Sequence, residues 1–301
     1  MSSQLSDTLP SAVEVHSFIE GLCHRADIPL SKFFQQYWIE ERHISRLPFL
    51  LHRIAPLLSP ASTLLDVGSF GEWPLLLWRF LGMANVSACS LEGGYLAYAS
   101  GELKKHEELG KQFELHIQQI DIENQLLPRP DSSLDVITCF EVLEHLRCDP
   151  MFAMKEFNRV LRPNGLLILS TPNVGSYEGI LRIINGGTPH IFSQYFPERR
   201  GIGHVKEYAV SEVRELFLNS GFEIDALESF DYHPPIGLDP SVITKFEPLR
   251  ESLRQFGWSQ DLAKQTMLIV ARRTDEPRYR YYSPLYTVTV PAEGATWLAS
   301  M

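Results

Sequence analysis

The sequence lacks any paired-cysteine spacing. Its four cysteines, Cys23, Cys89, Cys139 and Cys148, form no Cys-x-x-Cys or other metal-ligand pattern, and Cys89 and Cys139 fall inside apolar runs. That argues against a zinc-ribbon or disulfide-framework protein and predicts free thiols in a reducing compartment. No His/Asp pair has ligand spacing either, so no metal site is expected. Positive charge is also scarce, with 27 Lys and Arg against 37 Asp and Glu and a net charge of −10. Proteins that grip nucleic-acid phosphates cluster Lys and Arg, so no nucleic-acid partner is expected. No apolar run approaches the ~18–20 residues of a membrane-spanning helix. The opening MSSQLSDTLP has no basic stretch followed by an apolar one. The expectation is a soluble, cytoplasmic protein with no membrane span and no internal repeat.

What is present is enough apolar material for a full α/β core: 301 residues, 44% hydrophobic. Aromatics at Phe33, Phe34, Tyr37 and Trp38 suggest an amphipathic helix, and a second helix is predicted from His43 to Leu58. Short apolar strands then alternate with helical segments. Strands are predicted at 63–67, 86–91, 113–120, 134–140, 166–169, 222–227 and 266–271, with Pro163-Asn164-Gly165 as a tight turn before the fifth. Helices are predicted over Tyr95–Gly110, along the Met151, Met154, Phe157, Leu161 face, and from an N-cap at Ser211 to a C-cap at Gly221. Strands apolar on both faces, separated by helices, mean a Rossmann-like, seven-stranded, mostly parallel sheet with helices on both faces. Ligands of such sheets collect at the C-terminal ends of the strands.

Three strand ends carry groups suited to a nucleoside. Asp66-Val67-Gly68-Ser69-Phe70-Gly71-Glu72 turns from strand to helix, which lets backbone approach a ligand closely; tight packing alone would also explain it. Glu92, followed by Gly93-Gly94, closes the second strand and is placed to accept both hydroxyls of a ribose, or is a solvated loop carboxylate. Asp121 ends the third strand and is placed to accept from an adenine amino group with Ile122 covering the ring, or is an ordinary turn residue.

The series LLDVGSFGEW, SLEGG, QQIDIE, LDVITCFEVLEHL and EFNRVLRPNGLLILSTPN resembles class I S-adenosylmethionine-dependent methyltransferases, most of all the branch acting on small molecules such as quinone precursors, sugars and natural products. The likeness covers roughly residues 45–230 and is most specific from Leu134 to Asn173. It implies S-adenosylmethionine as cofactor, with Asp66, Gly68, Ser69 and Gly71 at the methionine moiety and Glu92 at the ribose. Asp121 and Ile122 would frame the adenine, and Phe140 and Glu141 would line the cofactor floor. One departure stands out: the family's Gly-x-Gly-x-Gly is here Gly68-Ser69-Phe70-Gly71-Glu72, which implies a differently shaped loop.

Methyl transfer to a hydroxyl needs alignment, exclusion of water and a base. His204, just before a predicted helix, and His145, after the fourth strand, are the candidate bases; Glu144 and His190 follow. Each has an ordinary alternative in capping or packing. Tyr37, Trp38, Tyr177, Phe192, Tyr195 and Phe196 could wall off an acceptor or pack the core. The expected organisation is a helical cap over 1–60, the methyltransferase domain over 61–273 with lid insertions near 172–207 and 235–264, and a tail over 274–301. The expected substrate is a small molecule, first a sugar, glycoconjugate or natural-product hydroxyl. A nicotinamide dehydrogenase would not predict the acid after the third strand or the EVLEH segment. A base methyltransferase would carry an Asn-Pro-Pro-Tyr-like motif where Phe140-Glu141-Val142-Leu143 stands. A catalytically inactive fold that binds cofactor or a partner protein is the other reading. The pattern does not set an oligomeric state.

Overall fold

Residues 9–25, 41–69, 71–91, 105–108, 111–115, 117–190, 203–232, 240–255, 259–274 and 276–277 are described in the computed structural model. The strand that organises it is β1 (Leu64–Val67), all four residues buried. It pairs in parallel with β2 (Val86–Ser90) on one side and β6 (Leu134–Phe140) on the other, with Asp66 level with Ala88 and Thr138. Beyond β2 lies β5 (Ile117–Gln119), and beyond β6 lies β7 (Leu161–Pro172), both parallel to their neighbours. β9 (Thr266–Arg273) then runs antiparallel between β7 and β8 (Phe222–Phe230). The order is β5-β2-β1-β6-β7-β9-β8, a seven-stranded sheet in which β9 alone is reversed. Order reverses at β1, so the crevice beyond the C-terminal ends of β1, β2 and β6 is the topological switch point.

Helices cover both faces. On one, α1 (Ala12–Arg25) and α2 (Glu41–Ile54) share a core with α3 (Glu72–Leu81) through Val15, Ile19, Leu47, Leu50, Leu51, Ile54, Leu75 and Leu76. On the other, α4 (Met151–Val160) and α6 (Val210–Asn219) pack Met154, Phe157, Val213 and Phe217 against Leu65, Ile137 and Ile269. Burial of such side chains contributes roughly 1.5–3 kcal/mol each. Between β7 and α6 comes α5 (Tyr177–Ile184), N-capped by Ser176, whose hydroxyl accepts the Gly179 N–H at 3.1 Å. Between β8 and β9 come α7 (Pro240–Lys245) and α8 (Glu247–Gln255). The two segments hold each other: Tyr177 donates its hydroxyl to the Phe246 carbonyl at 2.7 Å, and Arg250 sits 4.4 Å over the Tyr177 ring. Among the described residues no helix is long and apolar enough to cross a membrane.

Four local expectations need correction. In place of the helical end predicted through Gly110, Lys105–Glu108 (β3) pairs antiparallel with Lys111–Glu114 (β4) in a separate hairpin, His106 opposite Phe113. The third sheet strand is consequently only Ile117–Gln119, not the run from Phe113. The N-cap of α6 is Ala209 rather than Ser211; its N–H is satisfied by the Glu212 carboxylate at 2.8 Å, so the acid of the first turn does the capping. The second predicted helix ends at Ile54 and tightens to a 3₁₀ turn over Ala55–Leu57, with Pro56 in the turn. Phe33, Phe34, Tyr37, Trp38, Phe70, Glu92, Gly93, Gly94, Phe192, Tyr195, Phe196 and the tail from 278 lie outside the described residues.

Candidate functional site

The turn after β1 is shaped by one glycine. Gly68 has φ +73°, and a Cβ there would come within 2.2 Å of Val142 Cγ2, so both backbone and space demand its lack of a side chain. This contact also fastens the β1 turn to the segment after β6. Gly68 and Ser69 both donate backbone N–H to the Cys89 carbonyl, at 2.9 and 3.1 Å, and the Ser69 hydroxyl accepts the Gly71 N–H at 3.1 Å. Gly71, φ +101°, opens α3. Beneath the turn, Asp66 is buried and accepts the Thr138 hydroxyl at 2.7 Å. Burial lifts its carboxyl from the ordinary 3.8 to about 7, against hydrogen bonds from Ser69 and Thr138. Burial also raises Glu72, the first residue of α3.

Sequence inspection did not single out Arg46. It occupies the apolar face of α2 with Leu47, Leu50 and Ile54, is 8% exposed, and its charge is felt by both Asp66 and Glu72. It forms an ion pair with Glu141 at 3.6 Å, while Nε and Nη1 have no hydrogen-bond partner among the described residues. The available signal was a lone arginine on the buried stripe of an amphipathic helix. Glu141 follows β6 at φ +56°, a strained position for a residue with a side chain, and accepts the Ser170 hydroxyl at 2.7 Å. Phe140, half-buried, meets Trp73 edge-on at 5.1 Å. At the sheet edge, the Asp121 carboxylate accepts the Glu123 N–H at 3.0 Å and the Asn124 amide at 2.9 Å, holding the turn that carries half-buried Ile122.

The second group gathers Glu144, His145 and His204. Glu144 and His145 lie in a 3₁₀ turn after β6. Backbone N–H groups of Val205 and Lys206 both donate to the Glu144 carbonyl, at 2.8 and 3.2 Å, and this stitch brings His204 across 60 residues of chain. The two rings meet edge to face, centroids 4.8 Å apart. Each Nδ1 is occupied: His145 against the Gly203 carbonyl at 3.2 Å, His204 against the Glu207 carboxylate at 2.9 Å. Each Nε2 lies 4.0 Å from Glu144 Oε1. Glu144 is fully buried, and its other oxygen accepts the Thr171 hydroxyl at 3.0 Å. Burial, reinforced by the charge of Glu141, pushes Glu144 up to about 8. Burial disfavours charge on His204, yet its bond to Glu207 and the charges of Glu144 and Glu207 prevail and raise it. His190 Nδ1 stands 3.9 Å from the far oxygen of Glu207. Tyr177, offered as an acceptor wall, is buried against α8 as the tie described above.

A doubly covered α/β sheet whose switch-point crevice is lined by a glycine turn, a buried acid and aromatic faces defines a nucleoside-cofactor enzyme fold. Residues 65–169 match the family model for a methyltransferase domain. A ubiquinone biosynthesis O-methyltransferase from Xanthomonas axonopodis pv. citri is 28% identical over 190 residues, 62% of this chain and 74% of that one. A Mycolicibacterium smegmatis protein, named "Probable S-adenosylmethionine-dependent methyltransferase", is 36% identical over 99 residues, 33% of this chain. The match spans only 32% of that relative's length. Among solved structures, a SAM-dependent methyltransferase from Archaeoglobus fulgidus aligns with a TM-score of 0.50 at 18% identity, over 79% of this chain and 97% of that one. The cyclase SpnF aligns at 0.51 and 19%, over 77% of this chain and 82% of that one. Residues 65–169 thus carry a methyltransferase domain, and the sheet around them has the fold of class I S-adenosylmethionine-dependent methyltransferases, whose cofactor is S-adenosylmethionine.

Proposed function

We propose that this chain methylates a hydroxyl oxygen of a small molecule, using S-adenosylmethionine. The crevice suits that cofactor chemically. Buried carboxylates of Asp66 and Glu72 match an ammonium group, buried Arg46, whose Nε and Nη1 make no hydrogen bond among the described residues, matches a carboxylate, and Phe140 and Ile122 offer apolar faces to a purine. Glu92 remains the proposed ribose ligand, with Gly68, Ser69, Gly71, Asp121 and Glu141 around the rest. When bound, the cofactor supplies an activated methyl group on a sulfonium leaving group, so the chain's own task is to position the acceptor, exclude water and take up a proton.

The observation that carries the oxygen acceptor is the Glu207–His204–Glu144 array beside the crevice. Glu207 fixes the His204 ring through Nδ1, turning Nε2 toward the interior, the arrangement of an oriented general base. His145 stands beside it, and Glu144 is the third member. The likeness to an O-methyltransferase of ubiquinone biosynthesis supports the same acceptor chemistry. Sugar, glycoconjugate and natural-product hydroxyls are the classes to screen. The likeness in fold to a cyclase, together with Glu72 in the glycine loop, supports a second reading, a protein that binds cofactor without methyl transfer. Calorimetric titration with S-adenosylmethionine and S-adenosylhomocysteine, followed by an acceptor panel read as S-adenosylhomocysteine release, separates the two. Binding plus turnover with a hydroxyl acceptor supports the proposal; binding without turnover on any acceptor favours the second, and no binding sinks both.

A further inference from the structure

We propose that Glu123 is a positioning residue that couples the adenine side of the crevice to the turn carrying Glu144 and His145. An adenosine group bound at Asp121 then sets that turn through Glu123, a consequence that rests on the cofactor reading above. β5 and β6 are not neighbours in the sheet, because β2 and β1 stand between them. At ~4.8 Å per strand, their ends lie roughly 14 Å apart. The loops that follow them nevertheless meet at one side chain. Glu123 Oε1 accepts the backbone N–H groups of Arg147 and Cys148, at 2.5 and 2.6 Å, and Oε2 accepts Arg147 Nε at 3.3 Å. The Glu123 side chain is 6% exposed and that of Arg147 52%, so the guanidinium shields the carboxylate from solvent. Together they close one side of the switch-point crevice.

Each end of this clamp belongs to the proposed site. On the β5 side, the Glu123 N–H donates to Asp121 Oδ1, and Asp121 Oδ2 accepts the Asn124 amide. A purine amino group donating to Asp121 shares those two oxygens, and so acts on the turn that aims Glu123. On the β6 side, the chain between β6 and α4 is fastened in three places. The His145 and Leu146 N–H groups return to the Val142 and Leu143 carbonyls, and the Asp149 carboxylate accepts the Met151 N–H at 2.9 Å. Between these, the Arg147 and Cys148 N–H groups are held, among the described residues, by Glu123 alone. Hydrogen bonds to an ionised carboxylate are stronger than neutral ones, so this middle fastening dominates the stretch that leaves His145. A purely structural clamp would hold that stretch equally with and without ligand. A coupling clamp tightens when Asp121 is engaged, and by reciprocity its loss weakens the ligand.

The test is amide exchange of the full chain, read by mass spectrometry, with S-adenosylhomocysteine, adenosine and methionine added separately. In wild type, S-adenosylhomocysteine and adenosine should each slow exchange over 121–125 and 146–149 by about fivefold or more beyond any slowing in β9, and methionine should not. Glu123→Ala should exchange faster over 146–149 without ligand, lose the slowing caused by ligand, and bind S-adenosylhomocysteine about fivefold or more weakly. Glu123→Gln keeps an oxygen for the two backbone N–H groups and should restore most of the slowing. Two results overturn the coupling while leaving the cofactor reading intact. One is folded wild type that binds S-adenosylhomocysteine with slowing confined to 121–125, a readout that stands even if a variant fails to fold. The other is Glu123→Ala that keeps the full slowing over 146–149. Folded wild type that does not bind S-adenosylhomocysteine at all overturns the cofactor reading and the coupling with it.

Discussion

Gly68 couples the two halves of the crevice, because the atom it lacks would occupy the place of a Val142 methyl. Gly68→Ala therefore meets two separate penalties. A left-handed backbone costs an ordinary residue ~1–2 kcal/mol, and an extra methyl forced into packed surroundings costs about 1–3 kcal/mol more. Urea unfolding should show the sum, and Gly68→Ala with Val142→Ala should recover the packing share while keeping the backbone share. Recovery to full wild-type stability would mean that φ +73° carries no cost. Asp66 makes a prediction of opposite kind. Its folded pKa, raised from 3.8 to about 7, means that between those pH values the folded chain binds a proton that the unfolded chain does not. Its stabilising contribution is thus complete below pH 4 and is lost as pH rises to 7, at up to ~1.4 kcal/mol per pH unit. Asp66→Asn, which mimics the neutral carboxyl, should gain stability relative to wild type across that window and not below it. A stability difference independent of pH between 4 and 7 would refute the assignment.

Elements differ in how far their residues announce them. β1, β6 and the later half of β7 are buried on both faces, so mostly apolar runs such as Leu134–Phe140, broken only by Asp135 and Thr138, suffice to mark them. The β3–β4 hairpin gave no such signal. Lys105, Glu107, Glu108 and Lys111 are ordinary helix formers, and their strand state comes from cross-strand pairing outside the main sheet, which local propensity does not encode. The site divides in the same manner. Asp66 and Gly68 sit on a strand end that the chain itself locates, whereas Glu144 and His204 meet only because the Glu144 carbonyl takes the N–H groups of Val205 and Lys206. Arg46 and Glu207 were illegible for a related reason: a charge on a helix stripe or in a loop acquires meaning only from what the fold sets against it. The α5–α8 tie can be tested by itself. Tyr177→Phe keeps the ring under Arg250 and removes one hydrogen bond, worth about 0.5–1.5 kcal/mol. Amide exchange across 240–255 should quicken several-fold while exchange in β1 and β6 stays unchanged. Uniform quickening throughout would show that the tie belongs to the global fold instead.

At the scale of the whole molecule, the crevice lies where both core clusters end: Trp73, Phe140 and α2 belong to one, Val67, Ile122 and Val142 to the other. A ligand seated there bridges the two layers and binds only the folded chain, so it must raise stability by mass action. At a hundred times its dissociation constant the gain is about 2.7 kcal/mol. Such a gain shifts the melting temperature of a chain this size by several degrees. S-adenosylhomocysteine should therefore raise the melting temperature of wild type in a concentration-dependent manner. Arg46→Met keeps the apolar stem in the α2 stripe and removes the charge that faces Asp66, Glu72 and Glu141. If Arg46 serves the ligand, the variant loses most of that shift while its ligand-free stability changes less. If Arg46 only neutralises the three acids, ligand-free stability drops and the shift on adding S-adenosylhomocysteine persists. The two outcomes place the same buried arginine either in the cofactor site or in the framework beneath it.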